Sequence, residues 1–401
     1  MVRILIAMLA ACAAVHVPGA EPAPAGGDAT LRVELPLKTP RKNPSALGGA
    51  PDKVAVTVWI PANTPVLRGG ICNPFARGDE PGKHWQAACR HWGFAYVQID
   101  LDGIKKDEYP LLFEGLSQLA KQANRPELAH LPMCYTGMSR GGGMSMQLAE
   151  MKPERAIAVA PVCLEVGAGS EATRQIPVGT VFGEKDGSQM AKLLEKLPAE
   201  RAKGARFAIT VQWGRKHEFA LANNMSFVLF DDAIRLRLPN VPVRDGPTPL
   251  AEVSPEAGWL GDVTAWGKDG RVPAIAPSAD FKREKDKACW FPTGRSAAVW
   301  RAFVAGANDV TIADPPGLGD KQPFVPQSAT KAVAVKVGVA DGLKPAKLEL
   351  WDADVKVAEK ATGPWEFSVP LEAGIHSLIA IVETAGGRRT VSRPHTIVVE
   401  R

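Results

Sequence analysis

The chain reads as an α/β fold built on eight mostly parallel strands, followed by an all-β region. Three observations predict it. From about residue 30 to 239, short apolar runs alternate with stretches of helical period, the rhythm of strand–helix–strand crossovers. The first strands come before any helix, so the sheet begins antiparallel and then turns parallel. From about residue 307 the helical period is lost, and strand-like runs recur between turn signals such as Ala340-Asp341-Gly342 and Ala385-Gly386-Gly387. That spacing is the pattern of a β-sandwich.

Composition agrees with a soluble globular chain. At 401 residues it is too long for a single compact core, and 45% apolar with 23% charged residues excludes disordered, collagen-like and multi-span membrane classes. The formal charge of +5 is too slight to call for nucleic acid or an anionic membrane as partner.

The elements follow in order. Met1-Val2-Arg3, the apolar stretch Ile4 to Val15 and the exit Val17-Pro18-Gly19-Ala20 have the layout of a secretory signal cleaved after Ala20. The rival is the Leu9-Ala10-Ala11-Cys12 run, a lipoprotein-like box that leaves a lipid anchor at Cys12. The expected location is secreted or periplasmic, or, with the anchor, the outer face of a membrane. No later apolar run reaches the roughly 18 residues of a membrane helix. Residues 21–29 are a spacer. Strands are expected at Leu31–Leu37, Val54–Ile60, Val66–Ile71, Phe94–Ile99, Pro132–Gly137, Ala156–Val162, Val178–Phe182 and Phe207–Trp213. Helices are expected at His84–Trp92, Leu111–Ala123, Arg140–Met151, Gln189–Leu197 and Phe219–Leu236, closing a domain over 30–239. Residues 240–306 carry Trp259, Trp266, Trp290 and Trp300 and one helical stretch, Ser296–Phe303, and read as an extension packed on that core. Residues 307–401 supply seven strands, enough for a core of their own, so their removal is expected to spare any chemistry upstream.

The sharpest chemical signal is Gly137-Met138-Ser139-Arg140-Gly141, a G-x-S-x-G at the junction of an expected strand and an expected helix. Glycines on both sides let the chain turn so tightly that the serine is pushed up in a strained conformation. The helix start beneath it favours negative charge, and the Arg140 backbone N–H can face a developing oxyanion. A serine of ordinary acidity needs a base, and the base an orienting carboxylate. His217 is the only histidine between Ser139 and the β region.

These residues resemble the α/β-hydrolase superfamily over residues 30–239. The Gly137–Ser145 segment (GMSRGGGMS) is similar to secreted polyhydroxybutyrate-depolymerase-like and feruloyl or acetylxylan esterases. The resemblance implies the order Ser139, acid, His217. It implies the acid at Asp186, in the turn Gly183-Glu184-Lys185-Asp186 after a strand, with Glu184 the runner-up. The chain departs from the family in its oxyanion loop: Arg68-Gly69-Gly70-Ile71-Cys72-Asn73-Pro74-Phe75-Ala76 stands where a His-Gly is usual. The second donor is then expected at Phe75, or at Ala76 beside it, since Pro74 has no N–H. The Leu348–Gly387 segment resembles bacterial immunoglobulin-like domains appended to secreted enzymes.

Only 46 residues lie between Ser139 and Asp186, too few for a lipase-type lid, so an open cleft and a bulky or polymeric ester substrate are expected. Trp85, Trp92 and Trp213 are candidate cleft walls, with packing in the core as the plainer reading. Arg77, Arg140 and Arg215 are candidates to attract an anionic substrate, with solvated loop charges as the plainer reading. No cofactor or metal is expected: zinc-type Cys/His spacing, HExxH, phosphate and dinucleotide loops are missing. The acid pairs Asp100/Asp102 and Asp352/Asp354 are too sparse for a calcium loop. The five cysteines beyond Cys12 allow either free buried thiols or one bridge. Two rival functions remain: a serine peptidase like the prolyl oligopeptidases, and a non-catalytic carbohydrate-binding or adhesion protein on a hydrolase fold.

Overall fold

The computed structural model describes residues 27–42, 47–78, 80–164, 170–187, 189–265, 272–305, 308–319 and 323–401. The expected signal segment, Cys12 and Trp266 lie outside the described residues.

The chain runs β1 (Ala29–Pro36), β2 (Lys53–Ile60), β3 (Gly69–Asn73), α1 (Lys83–Trp92), β4 (Phe94–Ile99), α2 (Leu111–Gln122), β5 (Met133–Met138), α3 (Arg140–Met151), β6 (Ala156–Val162), α4 (Glu171–Arg174), β7 (Val178–Gly183), α5 (Gln189–Ala202), β8 (Phe207–Gln212) and α6 (Asn223–Arg237). The eight strands form one sheet in the order β1-β2-β4-β3-β5-β6-β7-β8. β1–β2 and β2–β4 pair antiparallel, and every later pair is parallel. β4, β6, β7 and β8 are buried at every position. Helices cover both faces of such strands, which is why their sequences read as unbroken apolar runs. β1, on the sheet edge, alternates between exposed and partly buried residues instead. α6 begins four residues later than its apolar period predicts. The Gln212 side-chain oxygen accepts from the Leu221 N–H and holds the preceding residues in turns.

Past α6 come β9 (Trp259–Asp262), β10 (Ile275–Pro277) and β11 (Ala288–Phe291), a three-stranded sheet, and α7 (Gly294–Ala305). Trp300 is fully buried, and its indole donates to the Ile209 carbonyl of β8 at 2.8 Å. Gly261 lies under that ring: a Cβ there would stand 2.4 Å from it.

The carboxyl-terminal strands are β12 (Val310–Asp314), β13 (Gln327–Ser328), β14 (Val333–Val339), β15 (Pro345–Asp352), β16 (Val355–Lys360), β17 (Glu366–Val369), β18 (Gly374–Thr384), β19 (Arg389–Val391) and β20 (His395–Glu400). They make two sheets, β12-β14-β17 and β13-β20-β18-β15-β16 with β19 on β18. Val335 and Val337 of the first meet Leu350, Leu378 and Ile397 of the second in a common core.

This region has a core of its own but also packs into the core of the eight-stranded domain, which the expectation of a separable module did not include. Side chains alternate along a strand, and β18 uses both faces. Leu378, Ala380 and Val382 enter the β core, whereas Ile375 and Ile379 join the core of the eight-stranded domain. β20 divides likewise, with Ile397 and Val399 on one side and Val398 on the other. The seam also carries buried polar contacts. Arg295 of α7 bonds Asp231 and Asp232 of α6, each at 2.8 Å, and donates to the Ile375 carbonyl. Arg295→Ala leaves Asp231 with Arg235 and Trp92 and leaves Asp232 with the Thr293 hydroxyl alone among the described residues, so it should destabilise the chain by up to about 3–5 kcal/mol, read as a lowered denaturant midpoint in equilibrium unfolding.

Candidate active site

β5, β6, β7 and β8 are consecutive neighbours, and Ser139, Cys163, Asp186 and His217 each follow the carboxyl end of one of them. Ser139 sits between β5 and α3 with φ 55° and ψ −122°, a conformation that side-chain-bearing residues rarely adopt. The flanking glycines make that turn sterically feasible. A Cβ on Gly137 would lie 2.6 Å from the Gly141 carbonyl carbon, and one on Gly141 would lie 2.8 Å from the Phe75 Cβ. The Ser139 N–H donates to the Val162 carbonyl at 2.7 Å, and its carbonyl accepts from Gly142 and Gly143 in the first turn of α3.

Asp186 and His217 meet: His217 Nδ1 and Asp186 Oδ1 are 2.8 Å apart, with the carboxylate buried and the imidazole 42% exposed. The loop after β8 crosses directly over the end of β7 to bring this about. Its backbone passes so close that a Cβ on Gly183 would fall 2.0 Å from the Lys216 carbonyl oxygen. Glu184, the runner-up acid, faces elsewhere: its carboxylate accepts from the Gly214 N–H at 2.7 Å and braces the start of the loop.

The pair reaches back over β6. Cys163, fully buried and itself at φ 53°, donates its thiol to the Glu218 carbonyl at 3.4 Å. Its Sγ, an Asp186 carboxylate oxygen and a His217 ring nitrogen all lie within 4.8 Å of one another. The next residue, Leu164, packs against Gly142 and Gly143 beneath Ser139. One short turn therefore touches both the serine elbow and the Asp–His pair. Burial, with the Asp186 charge beside it, pushes the Cys163 thiol up to about 11. Sequence reasoning missed this residue, and only its place after β6 could have signalled it. All five described cysteines are free and buried, which settles the bridge alternative among them.

The oxyanion-loop assignment needs correction. The Phe75 N–H is already spent on the Asn73 side-chain oxygen at 3.1 Å, an Asx turn that leaves no hydrogen for a ligand. The Arg140 N–H at the start of α3 has no partner among the described residues, and Ala76, beside the Phe75–Asp100 bridge, is the next residue of the loop that carries an N–H. Phe75 serves by packing instead, against Gly141 on one side and with its ring 5.4 Å from the Arg140 guanidinium.

The tryptophans take the plainer of their two readings, packing. Trp85 is core: its ring lies 4.4 Å from that of Phe227 and 5.8 Å from that of Tyr96. Trp92 is buried, with its indole on Asp231. Trp213 is half-buried and its indole donates to the Val304 carbonyl at the end of α7. The arginines proposed for an anionic substrate have partners: Arg140 pairs with Asp102 at 2.5 Å, Arg77 donates to the Leu47 carbonyl, and Arg215 lies 3.8 Å from Glu218. Asp100 and Asp352, from the two acid pairs, face Arg41 and His376.

The β region braces the loop that carries His217. The Asn224 amide donates to the Leu318 carbonyl at 2.8 Å, and its oxygen accepts from the Thr396 N–H at 2.7 Å. Gly319 fits against the Ala220 carbonyl, where a Cβ would stand 2.8 Å away. Arg393 reaches the Trp213 carbonyl at 3.5 Å.

No protein-family model matches the chain, and no curated protein matches it. Among solved structures, it is similar to a cold-adapted esterase from an Arctic intertidal metagenomic library, at 17% identity over 48% of this chain and 86% of that one, with a TM-score of 0.29. It is also similar to a ferulic acid esterase, at 14% identity over 48% of this chain and 92% of that one, with a TM-score of 0.30. A further likeness is to the fibronectin(III)-like modules of CbhA from Clostridium thermocellum, at 22% identity over 22% of this chain and 93% of that one, with a TM-score of 0.20.

Proposed function

We propose that the chain is a serine-dependent carboxylic ester hydrolase. The observation that carries this reading is a conjunction. A serine held at positive φ on a strand–helix turn shares one sheet edge with a histidine bonded to a buried carboxylate. Either feature alone is common, but together they fit nucleophilic acyl transfer.

In this reading Ser139 Oγ attacks the ester carbonyl while His217 accepts its proton. Asp186 orients the ring through Nδ1 and stabilises the imidazolium as it forms. The tetrahedral oxyanion takes hydrogen bonds from the Arg140 and Ala76 N–H groups, aided by the positive end of α3. His217 then protonates the departing alcohol, and water enters by the same base to release the acid and restore Ser139. The interval from Ser139 to Asp186 holds α3, β6, the single turn α4 and β7, which supports an open cleft and a bulky or polymeric acyl ester. The amino-terminal residues support export to a secreted or periplasmic location, which cell fractionation tests. No helix among the described residues is long and apolar enough to cross a membrane.

The testing experiment is a rate panel of acyl esters against peptide amides with the same acyl group. Turnover of esters with no cleavage of amides is expected. Amide cleavage at comparable rates would favour a peptidase, and no turnover of either a binding protein.

Two variants check individual roles. Asp186→Asn should lower kcat by about 10⁴-fold by leaving the wrong tautomer on His217, while Glu184→Gln stays within a few-fold; the reverse order in kcat would reassign the acid. Ala76→Pro removes one proposed donor. A fall in kcat of roughly 10²–10³-fold is expected.

A further inference from the structure

We propose that Cys163, Asp186 and His217 form an inhibitory binding site for a zinc-type divalent cation. Binding stands on geometry alone, whereas the inhibitory consequence rests on the hydrolase reading above.

The three groups supply a sulfur, a carboxylate oxygen and a ring nitrogen, all within 4.8 Å of one another. Among the described residues this is the one such cluster. A tetrahedral zinc with ligands about 2.0–2.3 Å away needs them roughly 3.3–3.7 Å apart. The His217–Asp186 edge, at 2.8 Å, is already shorter than that. That edge must open by about 0.5 Å, the sulfur edges lie within 4.8 Å, and His217, exposed to solvent over 42% of its side chain, has room to adjust and leaves a route of entry. Asp186 Oδ2 is buried and has no hydrogen-bond partner among the described residues, so a second carboxylate oxygen is open to an incoming cation.

The donor set selects the ion. Thiolate with imidazole suits zinc and its neighbours, while magnesium and calcium prefer all-oxygen sites. A dication with one thiolate and one carboxylate is neutral, which suits a site walled by buried strand ends. The step balances as a substitution: the S–H bond breaks, a sulfur–metal bond forms, and one proton leaves to water with a displaced aquo ligand. When the ion takes His217 Nδ1, the ring proton moves to Nε2. The ring then has no lone pair left to receive the Ser139 proton, so hydrolysis stops although the serine is untouched.

The experiment is a titration of the full chain with cobalt(II), a spectroscopic stand-in for zinc, alongside fluorophosphonate labelling with and without zinc. One cobalt per chain with a near-ultraviolet sulfur-to-metal charge-transfer band is expected. That band should vanish in both Cys163→Ser and His217→Ala. Zinc should slow labelling of the unmodified chain at least tenfold, and the ratio of rates with and without zinc should fall to near one in Cys163→Ser. A band that survives both substitutions, or no cobalt bound, would overturn the proposal. A cobalt band that depends on Cys163 in a chain that never reacts with the phosphonate would sustain the metal site and overturn the hydrolase reading instead.

Discussion

Ser139→Ala is expected to lower ester turnover by about 10⁴–10⁶-fold, with His217→Ala close behind and the double variant scarcely worse than either. The near-equality matters more than the size. If the serine attacks only as the imidazole takes its proton, losing either partner ends the same step. The fold should be unaffected. Ser139 is partly exposed and its backbone bonds to Val162, Gly142 and Gly143 do not involve the side chain. An alanine there meets the same φ of 55°. Initial rates on a chromogenic acetate ester, read beside a melting curve, make the check. Additive losses for the two single changes would indicate that the residues act separately.

Removing residues 307–401 is expected to abolish a soluble, folded protein rather than trim an appendage. The cut uncovers the surfaces of α6 and α7 that β18 and β20 cover, and it removes Ile375, Ile379 and Val398 from the shared core. It also leaves the buried Asn224 without its partners Leu318 and Thr396, its side chain keeping, among the described residues, only the bond to the Leu221 carbonyl. Each stranded buried polar group costs about 1–3 kcal/mol, and ordinary domains are stable by only about 5–15 kcal/mol. Size-exclusion chromatography and circular dichroism should report aggregate or an expanded chain. A monomeric, folded truncation with turnover within a few-fold of the full chain would contradict the shared core. Asn224→Ala is the milder companion: it loosens the His217 loop without exposing a large apolar face, so its effect should fall on kcat before the melting temperature.

Much of the eight-stranded domain was legible because strands buried on both faces leave continuous apolar runs, and Phe94–Ile99, Ala156–Val162 and Phe207–Gln212 are such runs. The serine turn was legible because its glycines answer to steric demands that any other residue would violate. His217 stood out through its isolation among histidines. The packing of the β region against the other domain was not read from the sequence, although a clue was present. β18 reads Leu378-Ile379-Ala380-Ile381-Val382, an unbroken apolar run where a sandwich strand with one solvated face would alternate. That run is buried on both faces because its second face belongs to the other domain. The use of the Phe75 N–H by Asn73 and the approach of Cys163 to Asp186 depend on side-chain directions in three dimensions. Spacing along the chain carries no record of these.

The most direct measurement is mass spectrometry of the chain after reaction with a fluorophosphonate. A stoichiometric adduct on the peptide containing Ser139 is expected, formed slowly or not at all in His217→Ala and Asp186→Asn. A folded chain that hydrolyses esters yet carries no adduct, or carries it on a different serine, would contradict the assignment of Ser139 as nucleophile.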